Sequence, residues 1–183
     1  MGKKILIAGI AVLAAGVIYA VFMYFPGDRA PSLNPLQVPD PAPDRVAVHL
    51  YFSDRTNEHL VAEKRGLIRT NNPTTDAVAI VEALIAGPQK DLVPTLPPQT
   101  RLRALFLTED HTAVVDFTGA IREHHPGGSR TELLTVYSVV NSLVLNIPEI
   151  AAVKVLVDGR EAETLAGHID LRTAFKADML LVR

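Results

Sequence analysis

The chain has 183 residues, with 18 basic and 20 acidic side chains and a formal net charge of −2. A mildly acidic chain lacks the basic surface that nucleic-acid binding requires, so nucleic acid is excluded as a partner. The chain contains no cysteine, which excludes a lipid-modified N-terminal cysteine, a thiolate metal site and a cysteine nucleophile. The length beyond the N-terminal segments suffices for one domain with its own core.

The first apolar segment predicts a membrane anchor. Ile5 to Phe25 carries no charged residue, and as a helix it would span roughly 31 Å, about one hydrocarbon core. Two lysines precede it and the next basic residue is Arg29, so the positive-inside rule predicts a cytoplasmic N-terminus and an extracytoplasmic remainder, periplasmic in a Gram-negative cell. A cleaved signal peptide is the alternative, but the segment ends in bulky residues. Residues 1–25 are therefore predicted to be a cytoplasmic stub and a single-pass anchor in the bacterial cytoplasmic membrane.

Residues 26–44 predict a linker. They contain six prolines, and proline removes backbone N–H donors and fixes φ, so neither a helix nor a sheet persists there. Such a segment forms an extended, semi-rigid spacer that holds a domain away from the membrane. A proline motif that binds a partner is the alternative interpretation.

Alternating apolar residues predict six strands in the domain, residues 45–172. Short polar turns separate the members of each consecutive pair, which predicts three hairpins. The predicted strands are Arg45–Ser53, Leu60–Arg69, Leu102–Thr108, Thr112–Phe117, Val153–Val157 and Arg160–Thr164.

Two helices are predicted between the hairpins. The first begins at Pro73, with Asn72 as its N-cap, and extends to Ala86. The second begins at Ser129. The spacing of Ser129 and Glu132 is that of a capping box, in which each side chain binds the other's backbone N–H. The element order favours an α+β domain with both helices packed on one face of a mostly antiparallel sheet.

Seven segments of the domain resemble, in the right order, the GerMN domain, which is named for the GerM sporulation and germination protein. They lie within about residues 46–172 and read HLYFSD, LVAEKRGL, IVEALIAGP, LPPQTRL, AVVDFTG, LLTVYSVVNSLV and VLVDGREAETLAGHIDL. The GerMN domain is similar to the ring-building motif of proteins that assemble rings in the envelope space during sporulation. The resemblance implies a ring-building-motif-like fold and an extracytoplasmic, non-catalytic assembly module.

The chain departs from GerM in two features. GerM is a lipoprotein with two such domains, whereas this chain has one copy and a predicted peptide anchor. A role in sporulation or germination is therefore implied by the family resemblance, but a single domain does not establish it.

Patterns typical of catalysis or metal binding are weak. Glu123, His124 and His125 are adjacent and lack the spacing of a metal motif, so a solvated loop is expected there. Asp116 is a single acid on the polar side of a strand, without the paired acid that many hydrolases need. Ser129 lacks the GxSxG elbow of a nucleophile and is expected to cap a helix. No catalytic residue, cofactor or metal site is predicted.

The sequence offers candidates for interaction or structural roles, namely Asp116, Tyr137, Asn141, His168 and Asp170. Tyr137 and Asn141 lie four residues apart, hence on one face of the second helix. Asn141 is either a buried, satisfied amide or an interface contact. His168 and Asp170 belong to the GHIDL segment that ends the resemblance, where a structural role is expected and a ligand role is the alternative.

These patterns favour a membrane-tethered interaction module whose partner is an envelope protein or a second copy. An exposed edge strand would serve such a role by strand addition. The alternative is an envelope enzyme or ligand-binding domain that acts on peptidoglycan, which would need a deep pocket around Asp116, His124, His125 or His168. The C-terminal residues 173–183 contain an apolar run, Met179 to Val182, and are expected to form either an added strand or a sticky tail.

Overall fold

The computed structural model describes residues 45–183 and, ahead of them, Tyr19, Ala20, Met23 and Tyr24. The chain divides into two units, Met1–Ala42 and Pro43–Arg183. Of the first unit, only the four early residues are described, and they are helical.

Both N-terminal predictions fall mainly outside the described residues. This holds for the linker, residues 26–44, and for all but four residues of the anchor, Ile5 to Phe25. Among the residues that are described, no helix combines the length and the apolar character that a membrane crossing needs.

The second unit alternates strands and helices. Its strands are β1 Arg45–Ser53, β2 Leu60–Ile68, β3 Leu102–Leu107, β4 Thr112–Phe117, β5 Ala152–Val157 and β6 Arg160–Glu161. Its helices are α1 Pro73–Ile85, α2 Ala120–Glu123, α3 Ser129–Val144 and a short 3₁₀ helix Met179–Leu181.

The strands form two sheets, so the prediction of a single sheet is wrong. The antiparallel pair β1–β2 forms one sheet, and the second has the order β3-β4-β5-β6. The three predicted hairpins are present, but β4 and β5 pair in parallel because the chain returns through α2 and α3 before it enters β5. An α+β fold is confirmed, with three α-helices instead of two.

Most element boundaries lie within one residue of the prediction, and two differences are larger. The third helix, α2, is a single turn without a side-chain cap, too short to show helical periodicity in the sequence. The last strand ends at Glu161 instead of Thr164, because Ala162 and Leu165 leave the sheet and are buried in the core. The N-cap of α1 is confirmed, since Asn72 Oδ1 accepts hydrogen bonds from the N–H groups of Thr74 and Thr75, at 2.9 and 3.1 Å.

Both long helices pack against both sheets. Each of them contacts β1, and α1 also contacts β3 while α3 contacts β5. The resulting apolar core includes buried residues from every one of these elements, among them Leu50, Phe52, Ile80, Phe117, Leu143 and Val155. All described core residues belong to the unit Pro43–Arg183, so a fragment of residues 43–183 carries this core complete.

Polar side chains from α3 and the turn after it occupy the outer edge of β1. The Asn146 amide binds both backbone groups of His49, donating to the carbonyl at 2.8 Å and accepting from the N–H at 2.9 Å. Ser142 Oγ accepts from Tyr51 N–H at 3.0 Å, and Ser138 Oγ donates to the Tyr51 carbonyl at 2.6 Å. Because these side chains are four residues apart, they form one stripe that satisfies the strand as a neighbouring strand would.

The Asn146→Ala variant tests this arrangement. It leaves both backbone groups of His49 without their protein partner, so we expect the free energy of unfolding to fall by about 1–3 kcal/mol. Urea unfolding of residues 43–183 measures the change. Asn71→Ala, at an exposed position, is the matched control and should change little. Equal stabilities of the two variants would contradict this role of Asn146.

Candidate functional site

A buried carboxylate at the start of α3 holds the loop that carries the GHIDL segment. Glu132 is 0% exposed. It accepts hydrogen bonds from the N–H groups of Leu165 and His168, at 2.7 and 2.9 Å, and lies 3.2 Å from His168 Nδ1. Burial acts to raise the pKa of Glu132, but four backbone N–H groups outweigh it and hold the pKa below its ordinary value, those of Ala166, His168, Leu165 and Ile169. The loop is therefore fixed to a carboxylate that stays ionised.

The predicted capping box is wrong. The N-cap of α3 is Gly128, at φ 87°, and no side chain caps the helix. Ser129 is exposed, and the Glu132 side chain binds Leu165 and His168. A buried carboxylate has no water to bind, so it must find its hydrogen bonds within the protein. The loop offers Glu132 several N–H donors, whereas a capping box would offer one.

The prediction of a solvated loop holds in part: Glu123 is exposed but ends α2, His124 is exposed, and the His125 side chain is half-buried although the residue lies in the loop. Its Nδ1 accepts from Gly127 N–H at 3.0 Å, and its Nε2 lies 3.1 Å from Thr135 Oγ1. These partners assign a neutral ring protonated at Nε2. Burial lowers the pKa of His125; the Glu132 charge opposes this and His168 adds to it. Over residues 45–183, no three metal-ligating side chains form a group that could hold a metal ion.

Asp116 and a second aspartate connect the ends of β4 and β5. Asp116 Oδ1 accepts from Gly159 N–H at 2.8 Å, and its Oδ2 pairs with Arg103 Nη1 at 3.0 Å. Asp158 Oδ1 accepts in return from Gly119 N–H at 3.0 Å. A Cβ at Gly119 would lie 2.6 Å from Asp158 Oδ2, so a larger residue there would displace the Asp158 carboxylate. No local pattern in the sequence predicts this side-chain contact of Asp158, which lies in the turn between β5 and β6.

Tyr137 and Asn141 both contact the C-terminal segment. Tyr137 packs edge to face on Phe175, with ring centroids 5.8 Å apart, and burial raises the pKa of its hydroxyl. The Asn141 amide donates to the Asp178 carbonyl at 2.9 Å and accepts from Asp178 N–H at 3.0 Å. Asn141 is fully buried, so both of its amide atoms are satisfied within the chain.

The segment 173–183 packs along the domain and ends on β2. Leu181 is buried, while Leu180 is 91% exposed. Val182 forms a parallel bridge with Leu60, and Arg183 N–H donates to the Leu60 carbonyl at 3.0 Å. The tail therefore pairs with β2 through a single bridge and does not form a longer added strand.

His168 and Asp170 have different partners although they lie two residues apart. His168 binds Glu132, whereas Asp170 pairs with Arg172, whose Nη2 lies 2.8 Å from Asp170 Oδ2. Hydrogen bonds from Arg172 lower the pKa of Asp170 to about 2, with the larger effect from its side chain and the smaller from its backbone N–H. The structure therefore does not combine these two residues into one site.

An apolar cavity lies between the β1–β2 hairpin and the helices. The space inside it is small, about 20 Å³, and the rest of the depression is open to solvent. Aliphatic residues dominate the lining, and none of the predicted site residues takes part: Val46, Val48, Leu67, Ile68, Ile80 and Ile147. Arg69 and Asp76 pair at 3.6 Å and also line it.

The fold and these contacts define a class of protein: a small α+β domain whose buried acids, histidine and amides hold loops in place. The family model described as Germane, "Sporulation and spore germination", matches residues 49–163, more than half of the chain. The chain therefore belongs to the Germane family. The resemblance to the GerMN domain is confirmed.

Three solved structures, each 22% identical to the chain, share its fold. The first GerMN domain of the sporulation protein GerM from Bacillus subtilis has a TM-score of 0.58, over 72% of this chain and 97% of that chain. The tandem GerMN domains of the same protein also give 0.58, over 73% of this chain and 46% of that chain, so the chain spans less than half of the tandem pair. A candidate lipoprotein from Clostridium perfringens gives 0.53, over 72% and 87%. A comparison with curated proteins gives no match.

The Glu132→Gln variant tests the loop contact. Glutamine keeps the size of the side chain but offers one acceptor oxygen, so we expect a loss of about 1–3 kcal/mol in unfolding free energy. Hydrogen exchange at the Leu165 and His168 amides should also become faster. Glu149→Gln, at an exposed position, is the control. Unchanged exchange at both amides would argue against the anchoring role.

The lowered pKa of His125 predicts a pH dependence of stability. Below about pH 6.5, the unfolded chain takes up a proton at His125 while the folded domain does not. The free energy of unfolding therefore decreases as the pH is lowered. Above that pH neither state is protonated and the contribution stays constant. Urea unfolding of residues 43–183 between pH 8 and pH 5.5 measures this. His125→Gln should flatten the dependence and His124→Gln, at an exposed position, should not; the reverse result would refute the assignment.

Proposed function

We propose that this protein is a membrane-tethered, extracytoplasmic interaction module of the bacterial cell envelope, acting in sporulation or germination without catalysis. The observation that carries the proposal is the Germane family match, which covers residues 49–163 and bears the description of sporulation and spore germination. The solved structures support it, because one is a domain of a sporulation protein and another is a candidate lipoprotein. The words sporulation protein and lipoprotein describe those two proteins and extend to this chain only as part of the proposal.

The tether is supported by the sequence of the first 25 residues. Ile5 to Phe25 is uncharged and follows two lysines, a pattern typical of a signal anchor with a cytoplasmic N-terminus. Such an anchor would serve the purpose that a lipid serves in a lipoprotein. Confinement to the membrane raises the effective concentration of a domain near membrane-bound partners, so weak contacts suffice for association.

A non-catalytic role is supported by the way in which reactive side chains are used. Both carboxylate oxygens of Asp116 have fixed partners, as do both carboxylate oxygens of Glu132. The two ring nitrogens of His125 are likewise engaged with Gly127 and Thr135. A general base needs a lone pair that faces a substrate, and these groups direct theirs toward their own chain. Their chemistry serves loop structure.

Fractionation of cells that produce the full chain tests the tether. We expect the protein to stay with membranes after an alkaline wash, because an apolar helix resists extraction. Protease added outside spheroplasts should digest the domain. A variant in which a cleaved signal peptide replaces Ile5 to Phe25 should be released in soluble form. A domain that survives external protease but is digested after lysis would place it in the cytoplasm and contradict the proposal.

Site-specific photocrosslinking in the same cells tests the interaction role. Crosslinkers at exposed positions on each sheet and helix should yield discrete adducts with an envelope protein. Residues 43–183 should be examined in parallel by sedimentation at high concentration. If no position gives an adduct and the fragment remains monomeric, the interaction role loses its support.

A further inference from the structure

The two edges of the β1–β2 hairpin are treated differently. The edge of β1 is occupied at His49 and Tyr51 by side chains of and after α3, and at Ser53 by Val93, with backbone bonds of 3.1 and 2.9 Å. Because these three residues point their backbone groups away from β2, their register partners must point theirs away from β1. Those partners are Lys64, Ala62 and Leu60.

The outer edge of β2 is open beyond its first residue. Leu60 is bonded to Arg183. By strand alternation, the next outward-facing positions are Ala62, Lys64, Gly66 and Ile68. Within residues 45–183, the one hydrogen bond recorded to these outward groups is a long one, 3.5 Å from Arg45 Nη1 to the Gly66 carbonyl. A row of unpaired N–H and C=O groups is a template for another strand.

Little in the described domain covers this edge, since the one side chain bonded to it is that of Arg45, at 3.5 Å. All four outward-facing residues are exposed. At Gly66 a Cβ would meet no atom within 4 Å, so the face of the strand beside this edge is also open there. The tail already shows that the edge accepts an extended segment, since Val182 pairs with Leu60 in parallel. The ladder begun by the tail can continue along β2.

The charges beside the edge indicate the chemistry of the partner. Arg45 and Lys64 are exposed and, within residues 45–183, neither forms an ion pair. The one acid of β2, Glu63, is buried and paired with Arg65. An added strand therefore meets uncompensated positive charge, which favours acidic side chains. A second copy that paired through the same edge would bring basic residues together.

The end of the edge adds an apolar feature. Ile68 is 47% exposed and lines the aliphatic cavity together with Leu67 and Val46. A strand that pairs along β2 up to Ile68 would therefore reach the mouth of this cavity. An aliphatic side chain is the group that matches its lining.

We infer that the outer edge of β2, from Ala62 to Ile68, binds an extended acidic segment of an envelope protein by strand addition, with an aliphatic side chain of that segment at the cavity beside Ile68. The inference rests on the proposed interaction function and specifies the partner's chemistry. Unpaired backbone groups in a row select a peptide over a lipid or a sugar, because only an extended peptide repeats both complementary groups at the spacing of a strand.

Two synthetic peptides test the inference on residues 43–183. The first has nine residues that alternate glutamate with valine and ends in leucine; the second replaces each glutamate with lysine. We expect the acidic peptide to shift the amide resonances of Ala62, Lys64, Gly66 and Ile68 and to slow their hydrogen exchange. The basic peptide should leave them unchanged. Equal effects of both peptides, or shifts confined to other surfaces, would overturn the inference.

Paired proline variants locate the binding edge. Ala62→Pro removes an outward N–H, and proline is tolerated on an edge strand in this orientation. It should weaken binding of the acidic peptide by about tenfold, the loss expected for one hydrogen bond. Ala47→Pro is the matched control. Ala47 is exposed, and its N–H points outward from β1, which is the other edge of the same hairpin. A larger loss from Ala47→Pro would assign binding to β1.

Charge variants at Lys64 provide a test that leaves the backbone intact. Lys64→Glu should weaken binding of the acidic peptide by about two- to fivefold, the range for a cross-strand charge pair. Arg160→Glu, at an exposed position on β6, should have no effect. Lysine on an edge can also serve only to prevent pairing. In that case Lys64→Ala would strengthen peptide binding or cause the fragment to self-associate, and the inference would fall.

The two proposals fail separately. If cells yield an envelope partner crosslinked through another surface while the acidic peptide leaves residues 62–68 unchanged, strand addition is refuted and the interaction function stands. If the peptide binds the edge as expected but the domain lies in the cytoplasm, the edge is a binding site and the envelope function is refuted.

Discussion

Helix α3 has to bury polar groups as well as apolar ones, and the arrangement of the domain depends on how it satisfies them. Ten of its residues are buried, and the polar ones are Glu132, Thr135, Ser138, Asn141 and Ser142. An unpaired buried donor or acceptor costs about 1–3 kcal/mol, so each must meet its partner in one defined place. The serines meet β1, Glu132 meets the loop near His168, and Asn141 meets the tail. Apolar packing alone would allow these segments to shift.

Local signals account for the elements that the sequence predicts correctly. The N-cap at Asn72 and the alternation in β1 and β4 depend on residues within a few positions of each other, and the structure agrees with them. Glu132 is the opposite case. Its spacing from Ser129 satisfies a local rule, but its partners lie 33 and 36 residues further along the chain. A buried contact overrides a weak local preference because it carries the larger desolvation cost.

Contacts between residues far apart in the sequence also explain why neither the two sheets nor the site could be predicted. A single sheet is the simplest arrangement of six strands, but side chains of and after α3 close the edge of β1 where a further strand would lie. Asp116 is among the candidate residues that the sequence offers, whereas Asp158, which makes the matching contact to Gly119, is not. The pairing arises only because parallel β4 and β5 bring their ends together. Sequence spacing contains no signal for that register.

The same contacts within the chain decide which edge of the β1–β2 hairpin can pair with another protein. A sheet edge that is not closed within the chain remains available to other chains. Here side chains of and after α3, together with Val93, close one edge at His49, Tyr51 and Ser53, and on the other edge the tail closes Leu60 alone. Because Arg183 occupies the Leu60 carbonyl, a strand that enters from the Ile68 end can pair only as far as Ala62. The tail thus sets the point at which the proposed added strand must end, and four outward positions match the weak, reversible contact that the proposed tether would require.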